Sequence, residues 1–218
     1  MAKHPLSLAA VRAWLEEHQP PRHPVLAYME EFAARGGIPI VGPAIGRFHH
    51  QMALTIGAKR VFQFGTVIGY TSLWLAFAVG KEGMVTVAEE DLSNEERAQD
   101  FVARAGMADR VSFVPDNALE VLSQGEKWDI IHVDLRYAAS KSLSIALDVA
   151  SDRIRTGGLL IADNVFLGGR GLDVLSKSPD PAEDSVRTFT RSLLASRDLL
   201  ASIIPLGDGL AVGLRVDP

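Results

Sequence analysis

Between residues 60 and 164 short apolar runs alternate with helical stretches, and two further runs near the end of the chain flank the turn Gly207-Asp208-Gly209. No other feature constrains the fold as strongly. The five alternating runs are RVFQFG (60–65), MVTVAEED (84–91), RVSFVPD (110–116), WDIIHVD (128–134) and GGLLIADN (157–164). Brief, nearly continuous apolar strands separated by helices suit a parallel sheet covered on both faces. The helical pattern falls on 70–79, 93–105, a start at 118–123, 140–153 and 182–196. The turn at 207–209 is too tight for a crossover and joins the strands within 201–216 as an antiparallel hairpin. Three N-terminal helices are expected at 5–18, 25–34 and 44–56, separated by the prolines of HQPPRHP and by Gly36-Gly37. The expected fold is α/β: a doubly wound, mostly parallel sheet with a C-terminal antiparallel hairpin. Right-handed crossovers in such a sheet bring the C-terminal strand ends to one edge, where ligands bind.

Composition narrows the function. With 47% hydrophobic and 22% charged residues, the chain is apolar enough to fold as one globular domain, 1–218. A net charge of -5 excludes a basic nucleic-acid footprint. No apolar run approaches the ~18 residues of a spanning helix, and the first residues lack a signal peptide's pattern, so a cytoplasmic protein with no membrane partner is expected. The absence of cysteine removes disulfides, thiol nucleophiles and thiolate metal sites. A bound metal must use oxygen or imidazole.

The strand ends carry the chemistry. Gly65 and Gly69 bracket the first turn, where backbone can approach a ligand closely. Val67 interrupts the G-x-G-x-x-G spacing, which disfavours a pyrophosphate cradle; the same glycines also serve a plain strand-to-helix turn. Glu89, Glu90 and Asp91 end the second strand, where a carboxylate can accept from ribose hydroxyls or simply start the next helix. Asp116 and Asn117 are placed to reach an adenine, or to form a turn. Asp134 closes one strand, and Asp163 with Asn164 closes another. If those strands are neighbours, two carboxylates and an amide oxygen converge as a hard set for Mg²⁺ or a similar divalent ion. Alternatively, each acid caps the element that follows. His132 shares a strand face with Asp134 and reads as a half-buried histidine or a nearby base. His49 and His50 read as helix residues that pack or face solvent, and Trp14, Trp74 and Trp128 as core or interface.

In register, six segments resemble the cation-dependent, S-adenosylmethionine-dependent O-methyltransferases of the catechol and caffeoyl-CoA type. They are GGIPIVGPAIGRFHHQM, GAKRVFQFGTVIGYTSLWLA, RAGMADRVSFVPDNALEVL, WDIIHVD, RTGGLLIADNVFLGGRG and PLGDGLAVGL. The resemblance implies a class I methyltransferase fold, Rossmann-like, whose seven-stranded sheet has one antiparallel strand. It implies S-adenosyl-L-methionine and a divalent cation as cofactors, a small hydroxylated acceptor and a homodimer, with Trp14 and Leu15 offering apolar surface. Residues 1–56 would contribute to the acceptor site and the dimer. By resemblance, Asp134, Asp163 and Asn164 take the metal-ligand positions. Val41, Gln63, Gly65, Thr66, Gly69, Tyr70, Thr71, Glu89, Asp116, Asn117 and Asp134 fall along the cofactor-binding positions.

This chain departs from the family pattern at several places. Gln63 stands where an acid is usual, keeping a hydrogen bond to the cofactor's amino group without the charge. Ala88 holds the ribose-binding position, so Glu89 serves after a one-residue shift, which requires that the strand has already ended. Asn117 replaces an aspartate. Tyr137 occupies the place of the family's lysine, with Arg136 before it and Lys141 four residues on, and these three are the candidate catalytic residues. The implied reaction is methyl transfer to a metal-activated hydroxyl. Three other readings stay open: a degenerate methyltransferase-fold interaction protein, a nicotinamide-dependent oxidoreductase, and a methyltransferase that uses no metal.

Overall fold

The computed structural model describes residues 7–115, 117–125, 127–138, 143–172 and 181–217. Three helices, α1 (Leu8–Glu17), α2 (Pro24–Gly36) and α3 (Pro43–Thr55), precede the first strand. Proline opens both α2 and α3, where its missing N–H costs no intrahelical bond. The alternating segment follows as β1 (Arg60–Phe64), α4 (Tyr70–Ala78), β2 (Met84–Ala88), α5 (Leu92–Arg104), β3 (Val111–Val114), α6 (Ala118–Ser123) and β4 (Trp128–Asp134). The one-turn α7 (Leu135–Ala138), α8 (Leu143–Arg153), β5 (Ile154–Asp163), α9 (Pro181–Leu194), β6 (Leu199–Ile204) and β7 (Leu210–Arg215) complete the described chain.

The strands form one seven-stranded sheet in the order β3-β2-β1-β4-β5-β7-β6. All pairings through β5 are parallel, and β7 runs antiparallel to both β5 and β6. The hairpin turn therefore reverses one strand and inserts it beside β5. Chain order reverses between β1 and β4, opening a crevice at their C-terminal ends.

Side-chain alternation sends β residues into two cores. Phe62, Phe64, Ile131, Val133 and Leu160 pack with Leu147, Val186, Phe189 and Leu193 of α8 and α9. Val61, Val85, Val87, Ile130 and Ile161 pack with Ala53, Leu75 and Val79 of α3 and α4. A third cluster joins Leu26 and Met29 of α2 to Leu73, Trp74 and Phe101. Arg47 fastens the segment before α2 by donating to the carbonyls of Pro20 and Pro21, both at 3.1 Å. Trp74 and Trp128 are buried, whereas Trp14 is 58% exposed and stacks on His18.

Three of the strand boundaries that differ from those expected have an identifiable physical cause. β2 stops at Ala88, because Asp91 turns away to cap α5 through the N–H groups of Ser93 and Asn94. β3 stops at Val114, before Pro115, which has no N–H for the ladder. β5 begins at Ile154, three residues before Gly157, and the glycine pair marks an irregularity within the strand. Gly157 has φ 75°, and a Cβ on Gly158 would lie 2.8 Å from the Asp129 carbonyl.

Helix α3 approaches α4 closely at Gly46, where an added Cβ would stand 2.2 Å from Trp74 Nε1. The indole cannot yield, since it is 5% exposed. Gly46→Ala should destabilise the protein by about 1–3 kcal/mol through overpacking, read as a lower urea midpoint at unchanged m. An unchanged midpoint would contradict this packing.

Candidate active site

Two cavities open at the crevice. The first, of about 280 Å³, is lined by Val41 and Ile40, by Gln63 through Ile68 around the first turn, by Tyr70 and Thr71, and by His132, Asp134, Arg136 and Asn164. The second, of about 370 Å³, lies toward α1 and shares Ile40, Val41, Arg136 and Asn164 with the first. Asp163, Gly168 and Asp208 line it as well.

A dense set of short bonds shapes the first turn. Gly65 and Gly69 have φ of 63° and 80°, the left-handed region where glycine carries no steric penalty. A Cβ on Gly69 would also meet Ala98 Cβ at 3.0 Å. The Thr66 hydroxyl accepts from Gly69 N at 2.9 Å. The N-terminus of α4 follows at once, so its unpaired N–H groups face the cavity beside Tyr70 and Thr71. Tyr70 donates to Glu30 Oε1 at 2.7 Å, and Glu30 pairs with Arg22. Burial, then the bond to Glu30, raises the Tyr70 pKa, so the phenol stays neutral.

Two expected cofactor contacts have other work. Gln63 donates to the Gly65 carbonyl at 2.8 Å and accepts from Ser72 Oγ at 2.9 Å, leaving one amide N–H on the cavity wall. Glu89 lies just past the end of β2, as the one-residue shift requires, but it is fully buried and does not line the cavity. Its carboxylate accepts from Thr66 N at 2.7 Å and Asp91 N at 2.8 Å. It thus braces the turn. Asn117 caps α6 by accepting from Leu119 N at 3.0 Å and does not line the cavity either. Asp116 lies outside the described residues.

The strand-end acids converge. In β4 and β5 Asp134 is the register partner of Asp163. Asn164 takes φ 65°, a left-handed geometry that asparagine tolerates better than most residues, and its Nδ2 donates to Asp134 Oδ1 at 2.8 Å. Asp163 is 1% exposed; its Oδ1 accepts from Asn164 N at 2.7 Å, while Oδ2 is buried without a hydrogen-bond partner. Desolvation, reinforced by the negative charge of Asp134, pushes the Asp163 pKa up to about 8. A buried carboxylate with an orphaned oxygen, facing a second acid and an amide, is a donor set that suits a divalent cation.

Of the candidate catalytic residues, Arg136 lines both cavities but bridges to Asp208 Oδ2 at 3.1 Å. Asp208 also accepts from Gly168 N. Sequence reading treated Asp208 only as a hairpin turn residue, and its place on the cavity wall emerges from the insertion of β7 beside β5. Tyr137 belongs to the backbone of α7, directly after the strand. Lys141 lies outside the described residues.

Sequence reading also passed over the pairing of His49 and His132. Helix α3 lays His49 against His132, with ring centroids 4.8 Å apart. Both are buried, and burial holds the His132 pKa down at about 4. His49 is held well below its ordinary value by burial and then by His132. The only sequence signal was their apolar surroundings.

The sheet order, the glycine turn leading into α4 and the acids at the ends of β4 and β5 define a class I methyltransferase. The sequence profile of the family described as O-methyltransferase matches residues 16–216, and the chain belongs to that family. It is 30% identical over 193 residues to a catechol O-methyltransferase of Niastella koreensis, covering 83% of this chain and 85% of the relative. The solved O-methyltransferase TomG of Streptomyces achromogenes, in complex with S-adenosylmethionine and involved in tomaymycin synthesis, superposes with TM-score 0.80 at 26% identity, covering 95% of this chain and 96% of that one. An O-methyltransferase of Bacillus cereus in complex with S-adenosylhomocysteine gives TM-score 0.80 at 25% identity over 94% and 97% of the two chains.

The buried acid makes a pH prediction. In the ion-free protein Asp163 keeps its proton to about pH 8, whereas an unfolded aspartate releases it near pH 4. Between those values the folded state binds more protons, so the contribution of Asp163 lowers stability as pH rises. Asp163→Asn should flatten that part of the slope in urea unfolding of chelator-treated protein. An equally steep slope in the variant would contradict the assignment.

Proposed function

We propose that the protein transfers a methyl group from S-adenosyl-L-methionine to a hydroxyl of a small catechol-like or phenolic acceptor, with help from a divalent cation such as Mg²⁺. The observation that carries the reading is the orphaned Asp163 Oδ2, on the wall of the second cavity, beside Asp134, which lines the cavity headed by the α4 N-terminus. Thr71 and the first N–H groups of α4 bind the cofactor's carboxylate, as a helix N-terminus favours an anion. Gln63 offers its remaining N–H from the opposite wall, and Gly65 lets backbone approach. Ile40 and Val41 line both cavities. Asp134, Asp163 and Asn164 hold the cation. Bound there, the cofactor would supply an electrophilic methyl carbon and leave as S-adenosylhomocysteine, and the cation would favour loss of the acceptor hydroxyl's proton to solvent. The acceptor enters by the second cavity, whose wall includes Arg136. Arg136 balances the developing phenolate charge but does not act as a base, because a guanidinium stays protonated. Lys141 and Tyr137 complete the proposed catalytic group.

The proposal extends to a cytoplasmic homodimer of single-domain chains in which residues 1–56 flank the acceptor site. Exposed Trp14 supports a surface on α1 for a second copy. Among the described residues no helix is long and apolar enough to cross a membrane.

Calorimetry with S-adenosylmethionine, with and without Mg²⁺, tests the first step. Micromolar or tighter binding is expected, and no binding in either condition would overturn the reading. With a catechol acceptor, Asp134→Ala should lower metal-dependent turnover by more than about a hundredfold. Full turnover in that variant, or in a chelator, would remove the cation from the mechanism.

A further inference from the structure

Three of the most deeply buried polar side chains in the described protein meet at one point. His49 comes from α3, His132 from β4 and Asp163 from the end of β5; they are 0%, 2% and 1% exposed. One donor atom from each lies within 4.8 Å of the others. Both ring nitrogens of His49, both of His132 and Asp163 Oδ2 have no hydrogen-bond partner. Natural structures rarely leave so many buried polar atoms unpartnered in one place, and a missing ion is one established cause.

We propose that His49, His132 and Asp163 bind a divalent transition-metal ion of the zinc or cobalt class. Two imidazoles and a carboxylate are a donor set for such ions, which accept nitrogen readily, whereas Mg²⁺ prefers oxygen. Around a tetrahedral ion with bonds of about 2.0 Å, donors stand about 3.3 Å apart. Side-chain rotation therefore has to draw the present group in by roughly 1.5 Å at its widest. The local backbone suits that adjustment: His132 is fixed in the ladder between Gln63 and Ile161, while His49 sits on a helix packed over the same sheet face. Access exists from both sides, since His132 lines the first cavity and Asp163 the second. The ion's charge would also offset the adjacent carboxylates Asp163 and Asp134.

The site differs from the oxygen set of the proposed reaction and does not depend on methyl transfer. Asp163 is common to both sets, so His49 and Asp134 are the residues that tell them apart.

The test uses full-length protein stripped of metal, titrated with Co²⁺ by visible absorption and with Zn²⁺ by calorimetry. One ion per chain, imidazole-type Co²⁺ bands and no displacement by excess Mg²⁺ are expected. His49→Leu and His132→Phe should each weaken Zn²⁺ binding by about a hundredfold or more, and Asp134→Ala by less than about threefold. Circular dichroism checks that the variants fold. X-ray absorption on Zn²⁺-loaded wild type needs no variant and should show scattering from two imidazoles. An all-oxygen shell, no stoichiometric binding, or Zn²⁺ binding that survives His49→Leu would overturn the site. So would its loss in Asp134→Ala. Lost methyl transfer with intact Co²⁺ bands defeats only the proposed reaction, and lost bands with Asp134-dependent transfer intact defeat only this site.

Discussion

The parallel register of β4 and β5 places Asp134 directly beside Asp163, and the geometry of the candidate site depends on that pairing. Adjacent strands lie only about 4.8 Å apart, so two acids at matching positions cannot avoid one another. One is buried and the other reaches the cavity, which makes them unequal: the inner acid is driven toward its neutral form, and the outer one stays hydrogen-bonded at the rim. Hydrophobic side chains hold this unfavourable pair in place. Ile131, Val133, Leu160 and Ala162 lock the two strands into one core, and the register cannot slip without turning every one of them outward.

The cofactor side is built differently, with side chains that bond the first turn and the start of α4. Glu89, Gln63 and Thr66 each bond the first turn or the start of α4, so the loop that meets the ligand is rigid before anything binds. Preorganisation of this kind lowers the entropy lost on binding. Helix α2 is fastened to the start of α4 through Glu30 and Tyr70, Arg22 pairs with the same Glu30, and Arg47 ties α3 to the segment before α2. Both ring nitrogens of His49 and His132, together with Asp163 Oδ2, are buried without a hydrogen-bond partner and lie close to one another.

Much of this could be read along the chain. The alternation of apolar runs foretold the parallel sheet, and the tight turn at Gly207 to Gly209 foretold the reversed strand, because both patterns follow from local geometry. Asp134, Asp163 and Asn164 were visible as acids and an amide closing apolar strands. Glu89 was harder. Its bonds to Thr66 N and Asp91 N depend on where β2 stops, and that is decided by Asp91 capping α5. Asp208 and His49 were not legible as site residues, since one lies in a hairpin turn and the other in an ordinary helical pattern.

The sequence by itself therefore determined the order of elements, the parallel sheet with one reversed strand, and the kinds of donor available for a metal, oxygen and imidazole without thiolate. These follow from periodicity, turn chemistry and composition, which act over a few residues. Only the tertiary structure decided which donors meet. The neighbour relation of β4 and β5, the packing of α3 against α4 at Gly46 and the insertion of β7 beside β5 bring together residues from distant parts of the chain. Packing of the two cores fixes those juxtapositions, and packing is a property of the whole chain.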